Sequence, residues 1–151
     1  MRFLCDEMLA RLARLLRAAG YDTAMAQPGE RDTPMLARVR AEGRLLITRN
    51  RELAARAAPV SVLLTHDGLD EQARALSARL PIDWTAAPFT RCVVDNAELR
   101  PATAEEIGRM PQTARALPGP FRACPSCGRL YWPGSHVKRM AARLAGFGRQ
   151  A

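Results

Sequence analysis

Over the first 80 residues, apolar runs of strand length alternate with segments whose apolar residues recur at helical spacing, and few architectures accept that alternation. Phe3-Leu4-Cys5 reads as a short strand. Leu9, Leu12, Ala13, Leu16 and Ala19 then return with helical period until Gly20 stops them. Residues 22–26 predict a second strand. Residues 33–42 predict a second helix, with Asp32 as its N-cap, Pro34 in its first turn and Gly43 at its end. A third strand over 45–48, a short helix over 51–58, a fourth strand over 60–65 and a helix over 69–80 ended by Pro81 complete the series. Such alternation implies an α/β domain with a parallel sheet between two layers of helices.

In sheets of that kind the site lies outside the carboxyl ends of the strands. Asp6 and Glu7 follow the first strand, Thr48-Arg49-Asn50 the third and His66-Asp67 the fourth, so these polar groups are expected on one rim. Oxygen ligands on such a rim suit a hard cation that keeps waters and an open position for phosphate. Helix capping is the plainer role for both Asp6 and Asp32. For Asp6 the first strand-to-helix turn favours a functional role. His66 and Asp67 are no acid/base pair, because neighbours in extended chain face opposite ways.

The second half carries Cys92-x-x-Asp95 and then Cys124-x-x-Cys127. A Cys-x-x-Cys turn aims two thiolates at one ion, and a second pair would close a tetrahedral zinc ribbon. Here the fourth member is a carboxylate, giving the expected set Cys92, Asp95, Cys124 and Cys127, with His136 as a possible substitute for Asp95 and a metal-free packed ribbon as the alternative. Cys5, inside an apolar run, reads as a small core residue. With no apolar leader and no long apolar run, a cytoplasmic protein without membrane partners is expected, and in that reducing setting the cysteines read as ligands or buried thiols.

The formal charge is +8, and nothing after Glu106 is acidic, while Arg109, Arg115, Arg122, Arg129, Lys138, Arg139, Arg143 and Arg149 follow it. A one-signed tail is a plausible phosphate-binding surface, and equally a solvated face. Arg11, Arg14 and Arg17 are expected as a stripe on the exposed side of the first helix. The nucleic-acid-binding set expected from these patterns is Arg11, Arg14, Arg49, Lys138 and Arg139. Tyr131 and Trp132 could stack on bases, although aromatics there more often fill a ribbon core.

Four stretches together resemble one family: Phe3-Leu-Cys-Asp-Glu-Met-Leu9, Leu15-Leu-x-x-Ala-Gly-Tyr-Asp22, Glu42-Gly-Arg-Leu-Leu-Ile-Thr-Arg49, and Cys124-Pro-Ser-Cys-Gly-Arg-Leu-Tyr-Trp-Pro-Gly-Ser-His136. They are similar to the Mut-seven C-terminal ribonuclease domain family, and the resemblance runs over nearly the whole chain. It implies a PIN-like parallel sheet flanked by helices with a small C-terminal zinc-ribbon-like module, and metal-dependent hydrolysis of RNA leaving 5′-phosphate and 3′-hydroxyl ends. By position, Asp6 matches the first acidic residue of the family's site and Asp32 a second, both as Mg²⁺ or Mn²⁺ ligands, while the third is Asn50. An Asn offers one carbonyl oxygen but no charge, and it cannot act as a base. Glu7, Glu52 or Asp67 are the candidate replacements, and Asp6, Asp32, Asn50 and Asp67 are taken together as the expected catalytic set. The resemblance also places a cysteine where Asp95 stands, before Glu98-Leu-Arg-Pro101, and leaves His136 outside the ligand set.

Residues 81–91 are Pro-rich and lack helical period, which divides the chain into a PIN-like domain at 1–84 and a basic zinc-ribbon-like module at 85–151. A second connector spans 110–120. Two function classes compete: a metal-dependent ribonuclease weakened by Asn50, and a non-catalytic RNA-binding or adaptor protein on a degenerate PIN-like fold. A toxin-like nuclease is a third class and would require a cognate antitoxin. RNA is the expected partner, and the sequence leaves open any antitoxin or RNA-processing partner, exo versus endo cleavage, and oligomeric state.

Overall fold

A computed structural model describes residues 1–148; Arg149 lies outside the described residues. The chain opens with strand β1 (Arg2–Cys5), a single 3-10 turn (Glu7–Leu9) and helix α1 (Ala10–Ala18). There follow β2 (Asp22–Met25), α2 (Asp32–Ala41), β3 (Leu45–Thr48), α3 (Arg51–Ala57), β4 (Ser61–Leu63) and α4 (Leu69–Ser77). The four strands form one parallel sheet in the order β2-β1-β3-β4. This is the α/β architecture that the alternating periodicity predicts.

Strand side chains alternate between faces, and the two cores follow from it. Phe3, Cys5 and Ile47 face α1 and α4, while Leu4 and Leu46 face α2 and α3. Burial on both sides explains why the central strands β1 and β3 read as nearly continuous apolar runs. Gly20 ends α1 at φ +97, and a Cβ there would lie 2.3 Å from the Ala87 carbonyl oxygen. Glycine is therefore required twice over, for its dihedral angle and for the close approach of another segment. That segment is the Pro-rich connector, which is packed down: Phe89 N–H donates to the Ala18 carbonyl at 2.7 Å, and Trp84 is fully buried.

The second half holds β5 (Arg100–Pro101), α5 (Ala104–Gly108), α6 (Gln112–Arg115), β6 (Arg122–Ala123), β7 (Leu130–Tyr131) and α7 (Ser135–Phe147). β5, β6 and β7 form a small antiparallel sheet beside the cysteines, the zinc-ribbon-like module. α7 returns to the first core, where Leu144 and Phe147 are buried and Phe147 packs on Trp84 with ring centroids 5.2 Å apart. Arg143 Nε donates to Asp70 of α4 at 2.9 Å. Among the described residues no helix is long and apolar enough to cross a membrane.

One exposed stripe is not as expected. Arg11 and Arg14 are exposed, but Arg17 is buried, its Nε donating to the Thr23 carbonyl (2.8 Å) and its Nη1 to the carbonyls of Val93 (3.2 Å) and Val94 (2.8 Å). It covers the outer edge of β2 with the first cysteine turn, which is one way proteins satisfy an edge strand.

Candidate active site and metal centre

The sheet order reverses direction between β1 and β3, so the crevice at their carboxyl ends is the topological switch point. Cys5 and Ile47 are paired in register there, which puts Asp6 and Thr48 side by side at the strand ends. The Thr48 hydroxyl donates to Asp6 Oδ2, and the Met8 N–H donates to Oδ1 at 3.1 Å. Each carboxylate oxygen is thus held by one donor while the residue stays 8% exposed. Asp6 both caps the 3-10 turn and faces the crevice. Thr48 Oγ1 also accepts from Asn50 N–H at 3.0 Å, and Asn50 Oδ1 accepts from Leu53 N–H at 3.1 Å, which caps α3.

An open hollow of about 320 Å³ lies against this crevice and is bordered by Asp6, Glu7, Glu30, Asp32 and Asn50. Glu7 accepts from Gly29 N–H at 2.9 Å, and Glu30 lies 3.3 Å from Arg38. Asp32 differs from its expected capping role: the N-cap position of α2 is Arg31, with no side-chain cap, and Asp32 sits in the first turn 3.1 Å from Arg56 of α3. Its carboxylate accepts from Arg56 Nη1 on the neighbouring helix. Asp67, expected on the same rim, is largely exposed, pairs with Arg49 and does not border the hollow; neither does Glu52. Glu30 was not among the expected site residues, and its only sequence signal is the turn Gln27-Pro-Gly-Glu before α2. Thr48 enters the sequence pattern only as part of Thr48-Arg49-Asn50, and its role depends on β1 and β3 being neighbours.

The second cluster is tighter. Among the described residues, the one group of three or more potential ligand side chains drawn within 4.8 Å of one another is Cys92, Asp95, Cys124 and Cys127. Two equivalent turns present them. In the first, Cys92 N–H donates to the Ala97 carbonyl (2.8 Å) and Asn96 N–H to the Cys92 carbonyl (2.9 Å); in the second, Cys124 N–H donates to Arg129 (2.9 Å) and Gly128 N–H to Cys124 (3.0 Å). Asn96 at φ +72 matches Gly128 at φ +74, a left-handed position Asn tolerates. Asp95 therefore occupies the place that Cys127 holds in the other turn. Asp95 Oδ1 accepts from Ala97 N–H at 3.0 Å, as Cys127 accepts from Arg129 N–H. His136 is exposed at the start of α7 and is not in the cluster.

The donor spacing suits a tetrahedral ion. Cys92 and Cys127 sulfurs are 3.8 Å apart, close to the edge expected for metal–sulfur bonds of about 2.3 Å. Asp95 oxygens lie 3.2 and 3.3 Å from Cys124 Sγ. Burial pushes the Cys92 thiol up, but the hydroxyl of Tyr131, 3.2 Å away, and backbone N–H groups outweigh it and leave the thiol below its ordinary value. Asp95 is likewise held below the usual carboxylate range, against its desolvation, by Ala97 N–H and the neighbouring thiols. Cys127 moves the other way: the Arg129 N–H lowers it, but desolvation and the hydrogen bonds shared with Asp95, Cys124 and Cys92 push it up to about 11. Tyr131 is buried in the ribbon, its hydroxyl accepting from Val93 N–H at 3.0 Å, so its ring is a core element.

The basic tail is less uniform than its sequence. Arg109 and Arg143 pair with Glu105 and Asp70, and Arg122 donates to the Phe89 carbonyl. Lys138 and Arg139 are exposed on α7.

A family model described as Mut7-C RNAse domain matches residues 1–144, a span that takes in both the acidic hollow and the thiol cluster. No curated protein and no solved structure matches the chain.

Proposed function

The chain belongs to the Mut7-C RNAse domain family, and from that membership we propose that it is a ribonuclease whose chemistry is carried by Asp6 at the β1/β3 crevice, in a metal-dependent hydrolysis of RNA. Membership supports a ribonuclease-type function in general. The observation that carries the finer reading is the position of Asp6: a carboxylate fixed by Thr48 and Met8 at the switch point, facing a hollow that other oxygen donors border.

Asp6, Asp32 and the Asn50 carbonyl are the groups that would hold Mg²⁺ or Mn²⁺, and their all-oxygen chemistry fits a hard cation. Such an ion, when bound, would polarise a water and offset charge building on the scissile phosphate. Thr48 keeps Asp6 oriented by donating to one of its oxygens. Asn50 adds no negative charge, and its carbonyl already accepts from Leu53 N–H, so it is a weak member of the set. Asp67 stays a catalytic candidate only through movement of the Arg49 pair. In this reading residues 1–84 carry the chemistry and 85–151 form the basic module, with zinc on three thiolates and Asp95. Thiolates select a borderline-soft ion, and the carboxylate completes the tetrahedron.

A second reading, RNA binding without turnover, rests on Asn50 and on the Arg56 pair that occupies Asp32. The two are separated by cleavage of labelled single-stranded RNA as Mn²⁺ or Mg²⁺ is omitted and restored, with Asp6→Asn in parallel. Omission is preferable to a strong chelator, which would empty the thiolate cluster too. Cleavage that needs the ion and is lost in Asp6→Asn supports the nuclease. Binding with no turnover under any ion, or cleavage that survives Asp6→Asn, supports the adaptor.

A further inference from the structure

Trp132 belongs to neither of the two sites above. Three hollows, of about 480, 380 and 270 Å³, meet around it, and none shares a residue with the acidic hollow at Asp6. The indole is half-buried, unlike Trp84, which is fully buried with Nε1 donating to Ser77 at 2.7 Å. Gly134 seats it: a Cβ at that position would lie 2.9 Å from the indole Nε1. The ring is thus held across a turn with open space around it.

The charge around those hollows has one sign. Arg14 and Arg129 border one of them together with His136, Lys138 borders the second and Arg122 the third, and no Asp or Glu borders any. Arg14 comes from α1, Arg129 from the turn after Cys127 and Lys138 from α7, so the surface is assembled from three separate parts of the chain. Among the described residues all three are exposed and none pairs with a carboxylate, although ten ion pairs form elsewhere among those residues.

We infer that the surface around Trp132 is a single-stranded RNA subsite, separate from the cleavage site, in which an unpaired base stacks on the indole and the flanking phosphates meet Arg14, Arg129 and Lys138. The inference rests on RNA being the substrate class. An aromatic face bordered by unpaired cations is the combination that holds single strands, since every base offers a π-face and the phosphates supply the counter-charge. A duplex could use the cations but could not present a base to the ring. An acidic polypeptide would meet the charge and leave the indole without a specific role. The subsite would hold a strand before or after cleavage at Asp6, and would restrict the substrate to RNA with unpaired nucleotides.

The test is binding of a labelled oligouridylate of about 12 nucleotides to the full chain, without added Mg²⁺ or Mn²⁺ and without chelator. Affinity and intrinsic tryptophan emission are followed together. The wild type should bind with quenching of its emission. Trp132→Leu should bind roughly 5- to 100-fold more weakly with no quenching of the remaining Trp84, and Trp132→Phe should recover most of the affinity. Arg129→Glu should weaken binding and flatten its salt dependence by about one unit of slope or more. Circular dichroism and bound zinc, compared across the variants, separate loss of the subsite from loss of the fold. Wild-type affinity and unaltered quenching in Trp132→Leu would overturn the inference. So would duplex RNA of the same length binding as tightly as the single strand, and so would polyglutamate competing as well as RNA with the same dependence on Trp132. Cleavage that depends on Asp6 while Trp132→Leu binds normally sinks the subsite and leaves the nuclease standing. Trp132-dependent binding with no cleavage under any ion does the reverse.

Discussion

Asn50 stands where the proposed chemistry lacks a third carboxylate, and the structure gives it another duty. Its Oδ1 caps α3 through Leu53 N–H. Asp caps helices about as well as Asn, so Asn50→Asp should change stability by less than about 0.5 kcal/mol while adding the missing negative charge. Metal-dependent cleavage should rise by roughly tenfold or more, read as initial rate against Mn²⁺ concentration; an unchanged rate would mean that the third acid is not what limits turnover. Asp22 matters for a different reason. It accepts from Arg44 (2.7 Å), Asn96 (2.8 Å) and Arg2 (3.0 Å), joining the first strands to the first cysteine turn. Burial raises its carboxyl, but those three donors outweigh burial and hold it well below the usual carboxylate range. A depressed folded-state value stabilises the fold at pH above the unfolded value of about 3.9 and loses that contribution as pH falls toward the folded value. Asp22→Asn should therefore cost about 1 to 3 kcal/mol near neutrality, since the buried Arg44 loses its carboxylate partner on β2 and keeps only Glu42. Denaturant melts across acid pH should show a shallower decline in the variant below about pH 4 than in the wild type. None of this network is visible from spacing, because Asp22, Arg44 and Asn96 are far apart in the chain.

At the scale of elements, the two cysteine turns are near copies of one another, and that equivalence puts Asp95 beside the three cysteines. Asp95 lies where the first turn would carry a second thiolate, and His136 lies on a different element. Replacing the carboxylate by a fourth thiolate should tighten zinc binding, since a softer ligand matches its three neighbours. Asp95→Cys is expected to retain zinc against a competing chelator at roughly tenfold higher chelator concentration or more, measured as bound zinc per chain; release at the same concentration as wild type would place Asp95 outside the ligand set. The helices and strands of the first 80 residues are legible in the sequence, whereas the two-residue strands and short helices after residue 100 are too brief to show a period. The burial of Arg17 is not legible either. On α1 it occupies a position that any solvent face could fill, and only the docking of the first cysteine turn against β2 buries it. Asp32 departs from expectation for a related reason: a polar residue before a helix predicts a cap, but Arg56 on the adjacent helix takes its carboxylate.

Over the whole molecule, α7 joins the two halves. It starts beside the ribbon at Ser135 and ends by burying Leu144 and Phe147 against the sheet's first core and Trp84. Leu144→Ala should lower stability by about 2 to 5 kcal/mol, and a fragment ending at residue 84 should lose cooperative unfolding because that core would be left open; a sharp, reversible melt of the fragment would show that α7 is dispensable. The sequence by itself determined the order of strands and helices over the first 80 residues, the parallel sheet that order implies, the cysteine pair at Cys124 and Cys127, and Asp6 at the end of the first strand. All of these follow from local periodicity or from residues a few positions apart. Only the tertiary structure decided that Thr48 donates to Asp6, that Asp67 pairs with Arg49 outside the hollow, that Asp95 joins the three cysteines, and that Trp132 lies among hollows bordered by Arg14, Arg129 and Lys138. Those pairings depend on which segments the packing brings together, and the energy that selects them resides in buried contacts between residues whose separation along the chain carries no pattern.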